Sequence, residues 1–365
     1  MEVIHIVLGK ANPNRLNGVN KVVYNMATEQ HKAGKNVSVW GIANDVKHDY
    51  PKRIFKTILF KSEWFPWAIS GKLKRAILQN KRAVFHLHGG WIPLFSSLAV
   101  FFDSLGIKFV LTPHGSYNTL AMDKSARQKK VYHLFFEKKL VELAHKIHCI
   151  GKSEIIGLHK ICENAKPFLL PYGFEYTPQN MVLSKEDSFT IGFVGRLDIH
   201  TKGLDLLMEA FLFFQKSHPN SRLWLIGEGE GRALIERFIR EQKIKNVVLW
   251  GKKFGEEKDA LIQKMHVFAH PSRNEGMPTA VLEALSLGVP TIVTHATNIG
   301  DYVHEYNAGI VIPDGNPAEL FRAMESLYLD FKEDRIETYV QNGKLMLQEK
   351  FSWSNLVEKL DELYL

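Results

Sequence analysis

Short apolar runs alternate with helix-forming stretches along the whole chain, and most of the runs end in a glycine or polar turn. Val3–Leu8 leads through Gly9–Gly18 into a helical stretch from Val19 to about Ala33; Gly34 closes that helix, and Val37–Ile42 follows as the next strand. Val84–His88 and Phe109–Thr112 each run into a turn, a long amphipathic helix is expected over Ala126–Ala144, and Lys146–Ile150 is strand-like. Parallel strands need a crossover between them, so this order predicts parallel, doubly wound α/β sheets. Polar, Pro-containing residues 176–188 read as a linker, and the pattern then restarts at Phe189–Gly195. Two doubly wound halves, 1–176 and 177–352, are the expected domains, with a closing helix over 353–365. Their kinship rests on element order, since no internal repeat is visible in the sequence.

Composition narrows the class. Of 365 residues, 45% are apolar and 24% charged, which is ordinary for globular cores. No uncharged apolar run reaches the roughly 18 residues of a membrane span. The first residues read as a strand rather than a signal peptide, and two cysteines, Cys149 and Cys162, build neither a disulfide framework nor a metal quartet. A reducing, cytoplasmic setting is expected. The net charge of +8 is unevenly spread: residues 1–180 carry 26 basic and 12 acidic side chains (+14), leaving 21 and 27 (−6) for the rest. The basic half suits an anionic membrane, an acidic substrate or nucleic acid.

Pro271–Pro290 carries the densest chemical signal. Val267–His270 reads as a buried strand, 271–276 as a polar loop, and Pro278 as a helix start, while Gly288 and Pro290 stop that helix. A helix N-terminus attracts anions, phosphates above all. Glu275 sits in the loop and Glu283 farther along the helix, so the two can serve different parts of one long ligand. Gly195 to Gly203 is a second such element, whose Arg196 and Lys202 can converge on one anion, the first as a planar fork and the second as a point charge. It is not a Walker loop. His86 and His88 alternate with apolar residues and share a face; a metal pair is conceivable, but no third ligand with recognisable spacing follows.

Glu275 and Glu283, set in the frame Pro271-Ser-x-x-Glu-Gly-x-Pro278, resemble the donor-site signature of retaining family 4 glycosyltransferases. The resemblance extends over nearly the whole chain. It implies the GT-B fold, two Rossmann-like domains facing a central cleft, with the C-terminal helix 353–365 crossing back to an N-terminal acceptor-side domain and the nucleotide sugar held by the C-terminal one. It also implies that Glu275 contacts donor-sugar hydroxyls, that Glu283 binds ribose, and that Arg196 and Lys202 clamp the diphosphate between Gly195 and Gly203. Gly276, Met277, Pro278 and Thr279 then line the donor at the helix start. His114 in Pro113-His-Gly115 resembles the histidine that meets the donor sugar. Gly18 stands where the family's glycine loop approaches the diphosphate, Gly227 borders the nucleotide pocket, Phe254 lies near the base, and Asp301 holds a loop position where the family more usually has Glu. Tyr172 replaces the Asn of a Pro-Asn-Gly turn, which leaves the turn at Gly173 intact and any side-chain role of that position open.

The activity implied is transfer of a hexosyl or N-acetylhexosaminyl group from a nucleotide-diphosphate sugar, UDP-linked in preference to GDP-mannose, to a glycan or polyisoprenyl-linked acceptor. The overall look resembles enzymes of bacterial surface-polysaccharide assembly. No Asp-x-Asp occurs, so no essential metal or other cofactor is expected. A sugar-nucleotide epimerase or hydrolase on the same fold, and a basic nucleic-acid-binding protein, are the rival readings; the second leaves the Arg196–Lys202–Glu275–Glu283 pattern unexplained. Lys52 to Arg82 holds nine basic residues against Glu63 alone, interrupted by Trp64, Phe65 and Trp67. Basic side chains flanking aromatics suit an anionic membrane, and peripheral association on the inner face of the cell membrane is expected. The alternative places those aromatics in the core.

Overall fold

The computed structural model describes residues 1–13, 18–118, 132, 136–175 and 185–365. The chain divides into two compact units, one of Met1–Gly173 with Trp353–Leu365 and the other of Phe174–Ser352.

In the first unit, β1 (Glu2–Leu8), β2 (Asn36–Ala43), β3 (Lys56–Lys61), β4 (Val84–His88), β5 (Phe109–Thr112), β6 (Lys146–Cys149) and β7 (Pro167–Leu169) form a parallel sheet in the order β3-β2-β1-β4-β5-β6-β7. Its central strands are rich in Val, Ile, Leu and Phe because helices cover both faces of such a sheet. β4 is buried at all five positions, its two histidines included. Register pairs His5 of β1 with His86 of β4, so histidines from two strands lie side by side. The helix Trp353–Tyr364 packs Trp353, Leu356, Leu360 and Tyr364 against Val3, Met26, Val84 and Val110, closing this unit's core with the end of the chain. Of the long helix expected over 126–144, Lys138–Leu143 is helical, and most of the remainder lies outside the described residues, as does most of the 176–188 linker.

The second unit holds β8 (Thr190–Val194), β9 (Arg222–Ile226), β10 (Val247–Gly251), β11 (Val267–His270), β12 (Thr291–Thr294) and β13 (Gly309–Ile312), all parallel in the order β10-β9-β8-β11-β12-β13. Its core joins Ile191, Phe193, Leu223, Leu225 and Val267 to the inner faces of the helices Leu204–Ser217 and Pro317–Lys332. Chain order reverses between β8 and β11 here, and between β1 and β4 in the first unit. Open parallel sheets bind ligands just beyond the strand ends at such a switch point. Gly195 follows β8 directly and Pro271 follows β11, which sets the two sequence motifs of this half beside each other.

Candidate active site

The stretch after β11 is held from several directions. Arg273 makes a bidentate pair with Asp205, both bonds 2.7 Å, and donates to the His200 carbonyl at 2.9 Å. Asn298 donates to the carbonyls of Glu275 and Gly276 at 3.1 and 2.8 Å. Thr294 donates from its hydroxyl to the Ser272 carbonyl. Gly203 is left-handed (φ 64) and passes so close to Pro271 that an added Cβ would lie 2.0 Å from its carbonyl oxygen. A Cβ on Gly227 (φ 143) would likewise lie 1.8 Å from the Gly195 oxygen. These positions are glycine because three turns of the sheet edge crowd together.

Within this frame Lys202 and Glu275 form an ion pair, their side chains only 14% and 19% exposed. His270, 1% exposed, reaches the same Glu275 oxygen from Nε2 at 3.2 Å. Its ring lies nearly parallel to Phe193 and Phe268, at 11° and 9°. Burial, and then the Lys202 charge, push the His270 pKa down to about 3, so the ring is neutral at pH 7 and its Nε2–H donates to Glu275. Among the described residues its buried Nδ1 has no hydrogen-bond partner. Burial, with the field of Arg196, lowers Lys202 to about 8. Lys202 is therefore a desolvated ammonium next to a carboxylate, at a sheet edge suited to anions. Arg196 is placed differently: it is 71% exposed, with Asp198 at 3.6 Å.

Glu283 lies in the helix Thr279–Ser286 and pairs with Lys258 at 2.7 Å. Lys258 belongs to the helix Gly255–Lys264, whose N-cap is the exposed Phe254. Pro278 is the N-cap of the Glu283 helix and Thr279 its first residue, one position later than expected; Met277 is buried and Thr279 exposed. Asp301 is exposed in the first turn of the helix Gly300–Tyr306 rather than in a loop. The structure thus brings Lys202, Glu275 and Gly203 together and sets Glu283 beside Lys258. His270, Lys258, Arg273 and Asn298 were missed in the sequence. His270 had the one available signal, a histidine at the end of an apolar strand.

In the first unit His114 is half-buried after β5 with a left-handed backbone (φ 56). Its Nε2 lies 3.0 Å from His88 Nδ1, and the Tyr172 hydroxyl bonds its Nδ1. The residue standing in place of the usual Asn thus has a role for its side chain. Glu154 accepts the Gly115 N–H at 2.6 Å and the Ile150 N–H at 3.0 Å, while Glu137 accepts the Trp91 N–H at 2.8 Å and the Tyr117 hydroxyl. Burial pushes both carboxyls up to about 7. Gly18 is exposed at the start of the helix Gly18–Lys32, and Asn17 lies outside the described residues. His5, His86 and His88 present nitrogens all within 4.8 Å of one another, a donor set that could hold a metal ion. The third histidine comes from β1 through the sheet register, which spacing along the sequence does not display. All six nitrogens of the trio already have protein partners.

Residues 179–363 match the family model of glycosyl transferases group 1, and residues 16–164 match that of glycosyltransferase family 4. The chain belongs to the group 1 glycosyltransferases. An uncharacterised glycosyltransferase of Methanocaldococcus jannaschii is 27% identical over 72% of this chain and 69% of its own length. The capsular polysaccharide biosynthesis glycosyltransferase CapM of Staphylococcus aureus is 30% identical over 49% of this chain and 46% of its own. Among solved structures, the lipopolysaccharide outer core galactosyltransferase WaaB superposes with a TM-score of 0.73 at 14% identity, covering 100% of this chain and 99% of that one. Anabaena HepE, solved with UDP and glucose, gives 0.72 at 13%, covering 99% and 98%. At these identities the structures speak for the fold, and the fold of this glycosyltransferase is GT-B. Its relatives include enzymes of polysaccharide and lipopolysaccharide assembly.

Proposed function

We propose that this glycosyltransferase moves a hexosyl or N-acetylhexosaminyl group, with retention, from a nucleotide-diphosphate sugar to a glycan or polyisoprenyl-linked acceptor of a surface polysaccharide. UDP-sugars are favoured over GDP-mannose. The observation that carries the reading is the Lys202–Glu275–His270 cluster beyond β8 and β11, beside the start of the Glu283 helix. As the bond from the anomeric carbon to the diphosphate breaks, negative charge grows on the leaving group. A desolvated ammonium and helix N–H groups stabilise such charge far better than water does. Arg196 adds its fork from the exposed side, Glu275 orients sugar hydroxyls, and Glu283 holds ribose. The solved complex of HepE with UDP and glucose lends support to the UDP preference. Thermal stabilisation by a panel of nucleotide sugars, followed by product analysis with the stabilising donor, tests the reading. A UDP-sugar should stabilise most and transfer its sugar without added metal; stabilisation by none, or release of free or epimerised sugar alone, contradicts it.

The same proposal places the enzyme on the inner face of the membrane. Among the described residues no helix is long and apolar enough to cross it. Trp64 is 93% exposed, with Phe65 and Trp67 stacked 5.5 Å apart beside it, and Lys72, Lys74 and Arg75 are exposed on the helix Gly71–Gln79. Phe55 and Phe60 are buried, so the core claims only part of that segment's aromatics. Anionic vesicles should bind the protein, less so in high salt, and lose it when Lys72, Lys74 and Arg75 become Glu. Equal partitioning to neutral and anionic vesicles, or none to either, removes the membrane from the reading.

A further inference from the structure

We infer that a single directional chain of hydrogen bonds, starting from the Leu170 carbonyl, fixes the tautomer of His114 and makes its members positioning residues for that histidine. The catalytic half of this inference rests on the proposed transferase reading and on the resemblance of Pro113-His-Gly115 to the family element whose histidine meets the donor sugar.

A backbone carbonyl can only accept, and this one fact sets every proton that follows. His148 must donate from Nε2 to the Leu170 oxygen, 2.8 Å away. A neutral imidazole has one N–H, so His148 Nδ1 accepts, and the Thr112 hydroxyl at 2.9 Å donates to it. With that proton spent, the Thr112 oxygen accepts from His86 Nε2 at 2.6 Å. His86 Nδ1 is then bare and takes the Tyr364 hydroxyl proton across 3.0 Å. The Tyr364 oxygen accepts from the Gln30 amide nitrogen at 3.2 Å, which turns the Gln30 oxygen toward His5 Nε2 at 2.7 Å. The same rule repeats: His5 Nδ1 accepts from His88 Nε2 at 2.9 Å, and His88 Nδ1 accepts from His114 Nε2 at 3.0 Å. His114 Nδ1 is left to accept the Tyr172 hydroxyl proton.

The rings are neutral because burial lowers the pKa of all five histidines, to about 4 in His5 and His148 and about 3 in His114. The chain starts and ends on one segment, Leu170 to Tyr172. It draws its middle link, Tyr364, from the last helix of the chain, more than 180 residues away in sequence. Each link pairs one donor with one acceptor, so a single proton arrangement satisfies the chain, and loss of the Thr112 or Tyr364 hydroxyl leaves two groups unsatisfied. A metal ion on His5, His86 and His88 would have to break this chain.

Nitrogen-15 spectra of the ligand-free protein, labelled at histidine, test it without reference to turnover. In the wild type His114 should show a protonated Nε2 and a bare Nδ1; the opposite tautomer overturns the chain outright. Tyr364→Phe cuts the chain far from His114, and Thr112→Val cuts it with little change in shape. Both should turn His114 into a tautomer mixture and lower kcat at least about tenfold with donor KM within about twofold, whereas Thr112→Ser, which keeps the hydroxyl, should match wild type. An unshifted His114 tautomer in both cut variants overturns the relay. A shifted tautomer with unchanged kcat overturns the positioning role. Failure of wild-type transfer with every nucleotide sugar would count against the proposed function, and the nitrogen shifts would still decide the chain.

Discussion

Lys202 and Arg196 fall in one sequence motif, yet the structure gives them different surroundings, and their variants should differ accordingly. Arg196→Ala and Lys202→Ala should each lower kcat by at least about a hundredfold, the usual loss when one electrostatic stabiliser is removed. Only Lys202→Ala should also destabilise the fold, by roughly 2 kcal/mol or more, because it removes the cationic partner of a mostly buried carboxylate. Arg196 is exposed, so its loss should leave Tm unchanged. Kinetics and thermal melts on both variants check this; a stability loss shared equally by the two would contradict the burial argument. At this scale the sequence showed which residues carry charge at the turns. It did not show His270 or Lys258 beneath the two glutamates, because which side chain backs a carboxylate depends on contacts between separate elements.

Elements were the most legible level. Parallel strands buried on both faces read as continuous apolar runs, and so β1, β4, β5, β8, β9, β11 and β12 stand out in the sequence. β3 and β7 have partly exposed positions and blend into their surroundings. Pairing was not legible: the alignment of His5 with His86 is a long-range fact of sheet order. The loop between β11 and the Glu283 helix shows the same limit, since its clamps come from Asp205 and Asn298, at a distance in sequence. Asn298→Ala removes two bonds to the carbonyls of Glu275 and Gly276 and should raise donor KM several-fold, with a stability loss of about 1–2 kcal/mol. Steady-state kinetics and urea unfolding measure both; unchanged KM would show that the loop holds its shape without this clamp.

Taken whole, the molecule concentrates its titratable strain in the first unit. His5, His86, His88, His114 and His148 are held neutral there, with pKa values far below the usual 6.5. Below about pH 6.5 the unfolded chain binds protons that these five cannot, so their contribution to stability falls with falling pH. Glu137 and Glu154, raised to about 7, act in the opposite direction, since the folded form takes up their protons first. Between pH 7 and 5.5 the five histidines outweigh the two glutamates, so this unit should be less stable at the lower pH. Pulse hydrogen exchange of β1 and β4 during urea unfolding at the two pH values reads it, and equal or greater stability at pH 5.5 would mean that the histidines are not held neutral. The charge asymmetry of the two halves was plain from composition, whereas this buried cluster needed the fold.

The central claim is that the second unit binds a nucleoside diphosphate through Glu283 and places its sugar at Glu275. Calorimetric titration of UDP into wild type, Glu283→Ala and Glu275→Ala tests it most directly. Loss of charge-assisted bonds worth roughly 1.5–3 kcal/mol should weaken binding about ten- to a hundredfold in Glu283→Ala. Glu275→Ala should keep its affinity for UDP while losing sugar transfer. Equal losses of UDP affinity in the two variants, or none in either, would contradict the account.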